Sequence, residues 1–281
     1  MPIRKALIVF FSPSGSTGHV AGVVERKIRS LEIPVTTIDL GREEDIPFIL
    51  PQLLDAKDNL CLFIGSPVYA SHPVAPVMEF ISLLPRAEKG FSVPFVTWGG
   101  VSSGIALYRM GKALQEKGYA ILGAAKVLAR HSLMWASEAP LGENHPDEED
   151  DRLVGELVER VNRKLKTQDE TPLSLSALAY QDPALHAEME ERPFESAKQT
   201  FPAMQIRERR CTGCGLCRDQ CPVQAISLDP YPVFGDACVQ CLNCVRLCPE
   251  KAIIMDLGPR IARIRAMAQG SKESQRTALF F

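Results

Sequence analysis

Along the first 130 positions, apolar residues fall into short, nearly unbroken runs separated by stretches with helical patterning. The runs Lys5–Phe11, Val35–Leu40, Asn59–Ser66, Val93–Trp98 and Ala120–Leu128 predict strands. Thr17–Leu31, Val74–Leu84 and Gly104–Lys117 lie between them and predict helices, and a further helix is expected over about Glu148–Lys166. Strands that lack polar alternation are buried on both faces, as in a parallel sheet with helices on either side. Five such strands, with helical patterns between them, predict an α/β, doubly wound sheet rather than a barrel.

The pattern changes after residue 166. Residues 167–204 carry scattered prolines (Pro172, Pro183, Pro193, Pro202), charge and short helical pieces around Leu175–Tyr180 and Pro183–Glu191. A connection of 38 residues is long for a compact protein, and it is expected to run as an extended linker packed partly on the sheet domain. Residues 205–257 repeat internally at an offset of 27: Cys211-Thr-Gly-Cys214-Gly-Leu-Cys217-Arg-Asp-Gln-Cys221-Pro222 aligns with Cys238-Val-Gln-Cys241-Leu-Asn-Cys244-Val-Arg-Leu-Cys248-Pro249. A basic tail, residues 258–281, reads as helical. The expected division is therefore 1–166, 167–204, 205–257 and 258–281.

Composition narrows the class. The chain has 281 residues, 46% hydrophobic and 23% charged, which suits a globular protein with a real core. No apolar run is long enough to span a bilayer. The short apolar start, Met1–Phe11, runs into a turn and reads as a strand rather than an export signal, so the cytoplasm is the expected location. Nine cysteines in that compartment point to metal or redox chemistry rather than disulfides. Residues 205–281 carry 11 basic and 7 acidic residues, a net +4 that leaves −6 for the rest. Two oxidised four-iron clusters with thiolate ligands, about −2 each, would neutralise the basic end. That balance, with no aromatics interleaved among the basic residues, argues against a nucleic-acid partner.

Eight of the cysteines form C-x₂-C-x₂-C-x₃-C-P twice, a very specific signal. In this spacing the first three cysteines of each run wrap one [4Fe–4S] cluster and the fourth reaches the other. Cys211, Cys214, Cys217 and Cys248 are thus expected on one cluster, and Cys238, Cys241, Cys244 and Cys221 on the second. The alternative is zinc, which normally uses two CxxC pairs around a longer gap. About 50 residues cannot bury a large apolar core, so folding and metal binding should be coupled. This part resembles bacterial two-cluster ferredoxins over its whole length. The ninth cysteine, Cys61, lies within an apolar run and is expected to pack as a small hydrophobe.

Phe10-Phe11 leads into Ser12-Pro13-Ser14-Gly15-Ser16-Thr17 and then a helix. Hydroxyls, backbone N–H groups and a helix dipole make this an anion site without a cation of its own. It matches neither a Walker loop nor GxGxxG. The alternative is a capped turn without a ligand. Ser12, Ser14, Gly15 and Thr17 match the Thr/Ser-x-Thr/Ser-Gly-x-Thr loop of flavodoxins, which residues 1–166 resemble. The resemblance implies strand order 2-1-3-4-5, FMN as cofactor, and its phosphate on Ser12, Ser14, Gly15, Ser16 and Thr17. It also implies that the isoalloxazine ring lies against Ser66, Pro67, Val68, Tyr69 and Ala70 after the third strand, and Thr97, Trp98, Gly99, Gly100 and Gly104 after the fourth. Trp98 has a second reading as a core residue at a strand end. Ser66–Tyr69 departs from many flavodoxins in lacking a glycine where the loop meets the ring. The whole chain resembles flavodoxin–ferredoxin fusion proteins, with a small α+β ferredoxin domain at the C-terminus.

The cofactor set implies electron transfer between a one-electron partner, two [4Fe–4S] clusters and FMN, the partner being a redox protein or a small-molecule donor or acceptor. The alternative is an enzyme that reduces a small substrate or bound cofactor (a quinone, a corrinoid or an organic acceptor), with the clusters supplying electrons. A redox-sensing regulator ranks below both. No acid–base constellation is evident. His131, after the fifth strand, is expected either to cap the chain locally or to face the flavin. The linker length allows a homodimer, including a domain-swapped one.

Overall fold

Residues 5–42 and 60–281 are described by a computed structural model of the chain. The N-terminal part forms β1 (Lys5–Phe10), α1 (Ser16–Ser30), β2 (Val35–Asp39), β3 (Leu60–Tyr69), β4 (His72–Pro73), α2 (Ala75–Leu83), β5 (Gly90–Trp98), α3 (Ala106–Glu116), β6 (Tyr119–Ile121), β7 (Ala124–Leu128) and α4 (Glu148–Lys166). Asn59, the first residue of the third expected strand, lies outside the described residues.

Strands β2, β1, β3, β5 and β7 pair in that order, all parallel. This is the expected 2-1-3-4-5 order, with a switch point between β1 and β3. Every residue of β5 is buried. One face packs on Val77, Phe80 and Ile81 of α2 and Leu107, Met110 and Leu114 of α3. The other packs on Val20, Val24 and Ile28 of α1 and Val154, Leu157, Val158 and Val161 of α4. Asp147 caps α4, accepting from the Asp150 amide, while Asp150 accepts from the Asp147 amide in return.

Two expectations need correction. Ala120–Leu128 is not one strand: β6 and β7 both pair with β5, and the chain breaks at Leu122–Gly123, where a Cβ on Gly123 would crowd the Phe280 carbonyl at 3.3 Å. Nor is residues 258–281 simply a helix. After α10 (Gly258–Gly270), Ala278–Phe280 forms β12 and joins the sheet antiparallel to β7. The tail is tied down by Glu273, which forms a buried ion pair with Lys126 of β7 and accepts from Ser102, the Ser103 amide and Gln181. The Lys126 ammonium also sits over the rings of Trp98 and Tyr180.

Between the two ends, α5 (Leu175–Leu178), α6 (Pro183–Glu191) and α7 (Phe194–Lys198) lie along the sheet domain. Leu173 and Leu178 enter its core, and the Arg192 carbonyl meets His72 Nε2 at 2.9 Å. The cysteine region adds β8 (Gln205–Ile206), α8 (Leu216–Asp219), β9 (Ile226–Leu228), β10 (Pro232–Phe234), α9 (Asn243–Leu247) and β11 (Ile253–Ile254). β8 pairs with β11 and β9 with β10, so the 27-residue offset seen in the sequence maps one two-stranded ribbon onto the other.

Candidate functional site

Each cysteine run is a loop, a short helix and a proline. The first bends through left-handed Gly213 and Gly215, with φ of 68° and 79°. The second makes the same bends at Gln240 and Leu242, with φ of 57° and 59°. After the fourth cysteine, Gln224 and Lys251 repeat the symmetry with φ of 50° and 49°. There the amides of Ala225 and Ala252 donate to the sulfurs of Cys221 and Cys248, at 3.2 and 3.3 Å. The fold thus aims N–H donors at sulfur twice in the same way.

The eight cysteines line two separate cavities. Cys211, Cys214 and Cys217 share one with Cys248. Cys238, Cys241 and Cys244 share the other with Cys221. Tetrahedral zinc with Zn–S near 2.3 Å brings its sulfurs to about 3.8 Å from one another. Among the described residues, no three cysteine sulfurs lie within 4.8 Å of one another. Sulfurs spread this far apart do not close on a single zinc ion.

The two cavities differ in exposure. Cys214 is exposed, whereas Cys241 and Cys244 are buried. Burial pushes the Cys241 thiol up to about 11 and that of Cys244 to about 12. Cys241 and its neighbour Val239 belong to the same apolar cluster as Leu7, Val9 and Ile64 of the sheet. The second run therefore seats against the sheet domain of its own chain. Cys61 is buried in β3, where loss of water raises its thiol, as a packing role requires.

At the carboxyl ends of the parallel strands, Ser12–Thr17 begins α1. Gly15 takes the cap position with φ of 96° and nothing stands within 4 Å of where a Cβ would be. No side chain at the cap position closes the helix start. Ser12 Oγ accepts from the Gly18 amide at 2.8 Å, leaving the first amides of α1 without intrahelical partners. The Thr17 hydroxyl turns inward and meets the Thr97 hydroxyl at 2.7 Å, which fixes α1 to the end of β5.

At the same end of the sheet lies a cavity of about 480 Å³, which none of Ser12–Thr17 lines. Its floor includes Val68, Tyr69, Ala70 and Ser71 after β3, Gly99, Val101 and Ser102 after β5, and His131 after β7. Ala70 and Ser71 turn the β3–β4 hairpin with φ of 47° and 73°, a left-handed pair that usually requires Asn-Gly. Of the residues expected near the ring, Val68, Tyr69, Ala70 and Gly99 line the cavity, while Ser66, Pro67, Thr97, Trp98, Gly100 and Gly104 are not on its wall. Ser66 accepts from the Val74 amide and donates to the Pro67 carbonyl. Trp98 is buried beneath Lys126, as the core reading had it. Gly104 lets the Ser71 loop approach, since a Cβ there would stand 2.2 Å from the Ser71 carbonyl oxygen. His131 Nδ1 accepts from the Leu133 amide, and burial together with the charge of Arg260 lowers its pKa to about 4.

A family of 4Fe–4S binding domains matches residues 204–227. Ferredoxin-3 of Chlorobaculum tepidum is 38% identical over 52 residues, which is 16% of this chain and 84% of that protein. The chain belongs to the ferredoxin family. Among solved structures, a flavodoxin from the domain Archaea is 19% identical, covering 58% of this chain and 99% of its own, with a TM-score of 0.43. Oxidised flavodoxin 1 from Bacillus cereus gives 19%, 57%, 97% and 0.43 in the same order. Rubredoxin oxygen:oxidoreductase from Desulfovibrio gigas is 18% identical, covers 60% of this chain and 38% of its own, and has a TM-score of 0.48. Flavodoxin order for the N-terminal domain rests on strand pairing, not on these scores.

The ferredoxin module and the tail complete the cavity that the sheet begins. Gln240 of the second cysteine loop forms part of its wall, as do Phe194 and Phe201 of the linker and Arg260 of α10. Tyr69 Oη, Gln240 Oε1 and Arg260 Nε are buried without a hydrogen-bond partner, and all three residues line this cavity. Clustered orphan polar atoms call for a bound polar group, so the residues fit a ligand such as a flavin. Sequence reasoning missed Gln240, Arg260 and the linker residues, because their role exists only once three distant segments meet. The one available signal was a glutamine at 240 where the first repeat has Gly213.

Proposed function

We propose that the chain is a flavin and iron–sulfur electron carrier, with a [4Fe–4S] cluster in each cysteine cavity and FMN between Ser12–Thr17 and the cavity at the same end of the sheet. When bound, the clusters supply one-electron chemistry and FMN one- or two-electron chemistry, so together they interconvert the two. The observation that carries this reading is Gln240. It lies between Val239 and Cys241, which line the second cysteine cavity, and itself lines the cavity at the strand ends, so one loop borders both. The chain's residues set an order: exposed Cys214 faces solvent, buried Cys241 and Cys244 face inward, and the sheet edge lies beyond them. An outside redox partner is therefore expected to meet the first site. Anaerobic purification with iron, sulfide and flavin assay tests the composition, which should be about eight irons and one FMN. Anaerobic photoreduction tests the order: clusters reduced without the flavin equilibrating would refute it.

A second reading has a specific observation behind it. Linker helices α6 and α7 and helix α10 roof the cavity, which is of the size usual for small-molecule sites. A covered site suits reduction of a small acceptor, such as a quinone, a corrinoid or an organic acceptor, over the flavin. His131, neutral at physiological pH, would present an uncharged ring to that acceptor. Anaerobic turnover assays decide: if no acceptor is reduced faster than by free FMN, the chain is a carrier only.

A further inference from the structure

The anion loop lacks a cation, and the ferredoxin module reaches it with one. Arg246 lies on α9, between Cys244 and Cys248, and its Nη2 donates to the Pro13 carbonyl at 2.9 Å. Asn243 Oδ1 accepts from the same nitrogen and orients the group. The guanidinium lies 5.9 Å from the Trp135 ring centroid. Its Nε is buried with no partner. A buried cationic donor left open costs free energy unless something fills it. The 27-residue repeat supplies an internal comparison, because the equivalent position in the first run is Asp219, which pairs with exposed Arg218. One repeat thus carries an anion at this position, and the repeat facing the loop carries a cation.

We propose that Arg246 is the counter-charge for the FMN phosphate, so that the ferredoxin module makes the flavodoxin-order domain select a phosphorylated flavin. The proposal rests on FMN occupying Ser12–Thr17. Hydroxyls and helix-start amides hold the phosphate oxygens, and Arg246 compensates their charge at the mouth of the loop. A charge-assisted bond of this kind is on the order of tenfold to a hundredfold in affinity.

The test is anaerobic fluorescence titration of flavin-depleted, cluster-loaded protein with FMN and with riboflavin, which lacks the phosphate. In Arg246→Gln, FMN affinity should fall about tenfold to a hundredfold while riboflavin affinity stays unchanged. Arg246→Lys should recover part of the loss. If Arg246 were only a latch between domains, both flavins would weaken together, and the proposal falls. Should Arg246→Gln lose its clusters, the parent still decides: FMN affinity must weaken with added salt and riboflavin affinity must not. Equal salt dependence overturns the proposal. Failure of the parent to bind FMN at all is a separate result, and it refutes the flavin reading instead.

Discussion

The two cysteine runs of this chain follow one pattern and live in different surroundings. Superposed by their 27-residue offset, Thr212, Gly213, Gly215 and Asp219 become Val239, Gln240, Leu242 and Arg246. The left-handed bends persist, so the backbone requirement is shared. What changes is the set of side chains that face the sheet domain. Gly213 and Gly215 are the economical residues at such positions, and non-glycine residues there cost roughly 1–2 kcal/mol each. Leu242 offsets that cost through burial, being 2% exposed, since a buried leucine contributes about 1.5–3 kcal/mol. Gln240 has no such return, because its carbonyl oxygen is buried and unpartnered. The ligand pattern defines what a run binds, and the residues between the ligands define what it faces.

The largest expected effect separates the runs directly. If each run holds a cluster as proposed, Cys214→Ser and Cys244→Ser should each cost about four of eight irons. Only Cys244→Ser, at a buried sulfur, should also release bound flavin and expose residues 167–204 to protease. Iron analysis, flavin release and limited proteolysis on the two variants measure this. Equal flavin loss from both would mean that the runs are not functionally distinct.

The tail provides a control outside both runs. Burial pushes the Glu273 carboxyl up, but hydrogen bonds from Lys126, Ser103 and Gln181 outweigh it and hold the pKa below the usual range. Glu273→Leu leaves Lys126 buried and unpaired, which should cost about 3–5 kcal/mol in denaturant unfolding. Iron content should stay at the parent level. A fall in iron would mean that the tail, not the second run's own contacts, seats the ferredoxin module.

A smaller effect comes from the cavity floor. His131 has a pKa near 4, below that of an unfolded histidine, so the unfolded chain binds more protons between about pH 6.5 and 4. Stability should therefore fall as pH drops through that window, and His131→Gln should remove the corresponding part of the slope. Allowing for partial exposure, the difference between parent and variant should be about 1–2 kcal/mol. Denaturant midpoints at pH 7 and pH 5 give the comparison, and identical slopes would show that His131 titrates normally.

Much of this was legible in the sequence, for a physical reason. Unbroken apolar strands such as Val93–Trp98 can only be central, and cysteines at cluster spacing carry their own geometry. The grouping of the cysteines into two cavities follows from such local rules, whereas the order of the parallel strands was implied by the likeness to flavodoxins. What was not legible depends on contacts between segments far apart in the chain. The edge strand Ala278–Phe280 reads as an ordinary tail until it meets β7. Thr17 and Thr97 read as ligand contacts, and only the folded chain shows that their hydroxyls meet each other. Arg246 reads as one charge in a basic region, and only its approach to Pro13 gives it a site.

The smallest predicted effect bears on why the repeat lost its symmetry. If Gln240 is kept for packing, replacing it by the glycine found at position 213 should destabilise the protein. Its backbone argues the reverse, because φ of 57° favours glycine and its amide oxygen gains no bond. Gln240→Gly should therefore raise stability by about 1 kcal/mol, the relief of a left-handed non-glycine residue. The same change removes one wall of the cavity beside Cys241, so flavin should bind more weakly in the more stable protein. Opposite signs for stability and flavin affinity would identify Gln240 as a residue held under strain for the site. A loss of both would assign it to the core, and the asymmetry of the two runs would then be a matter of packing alone.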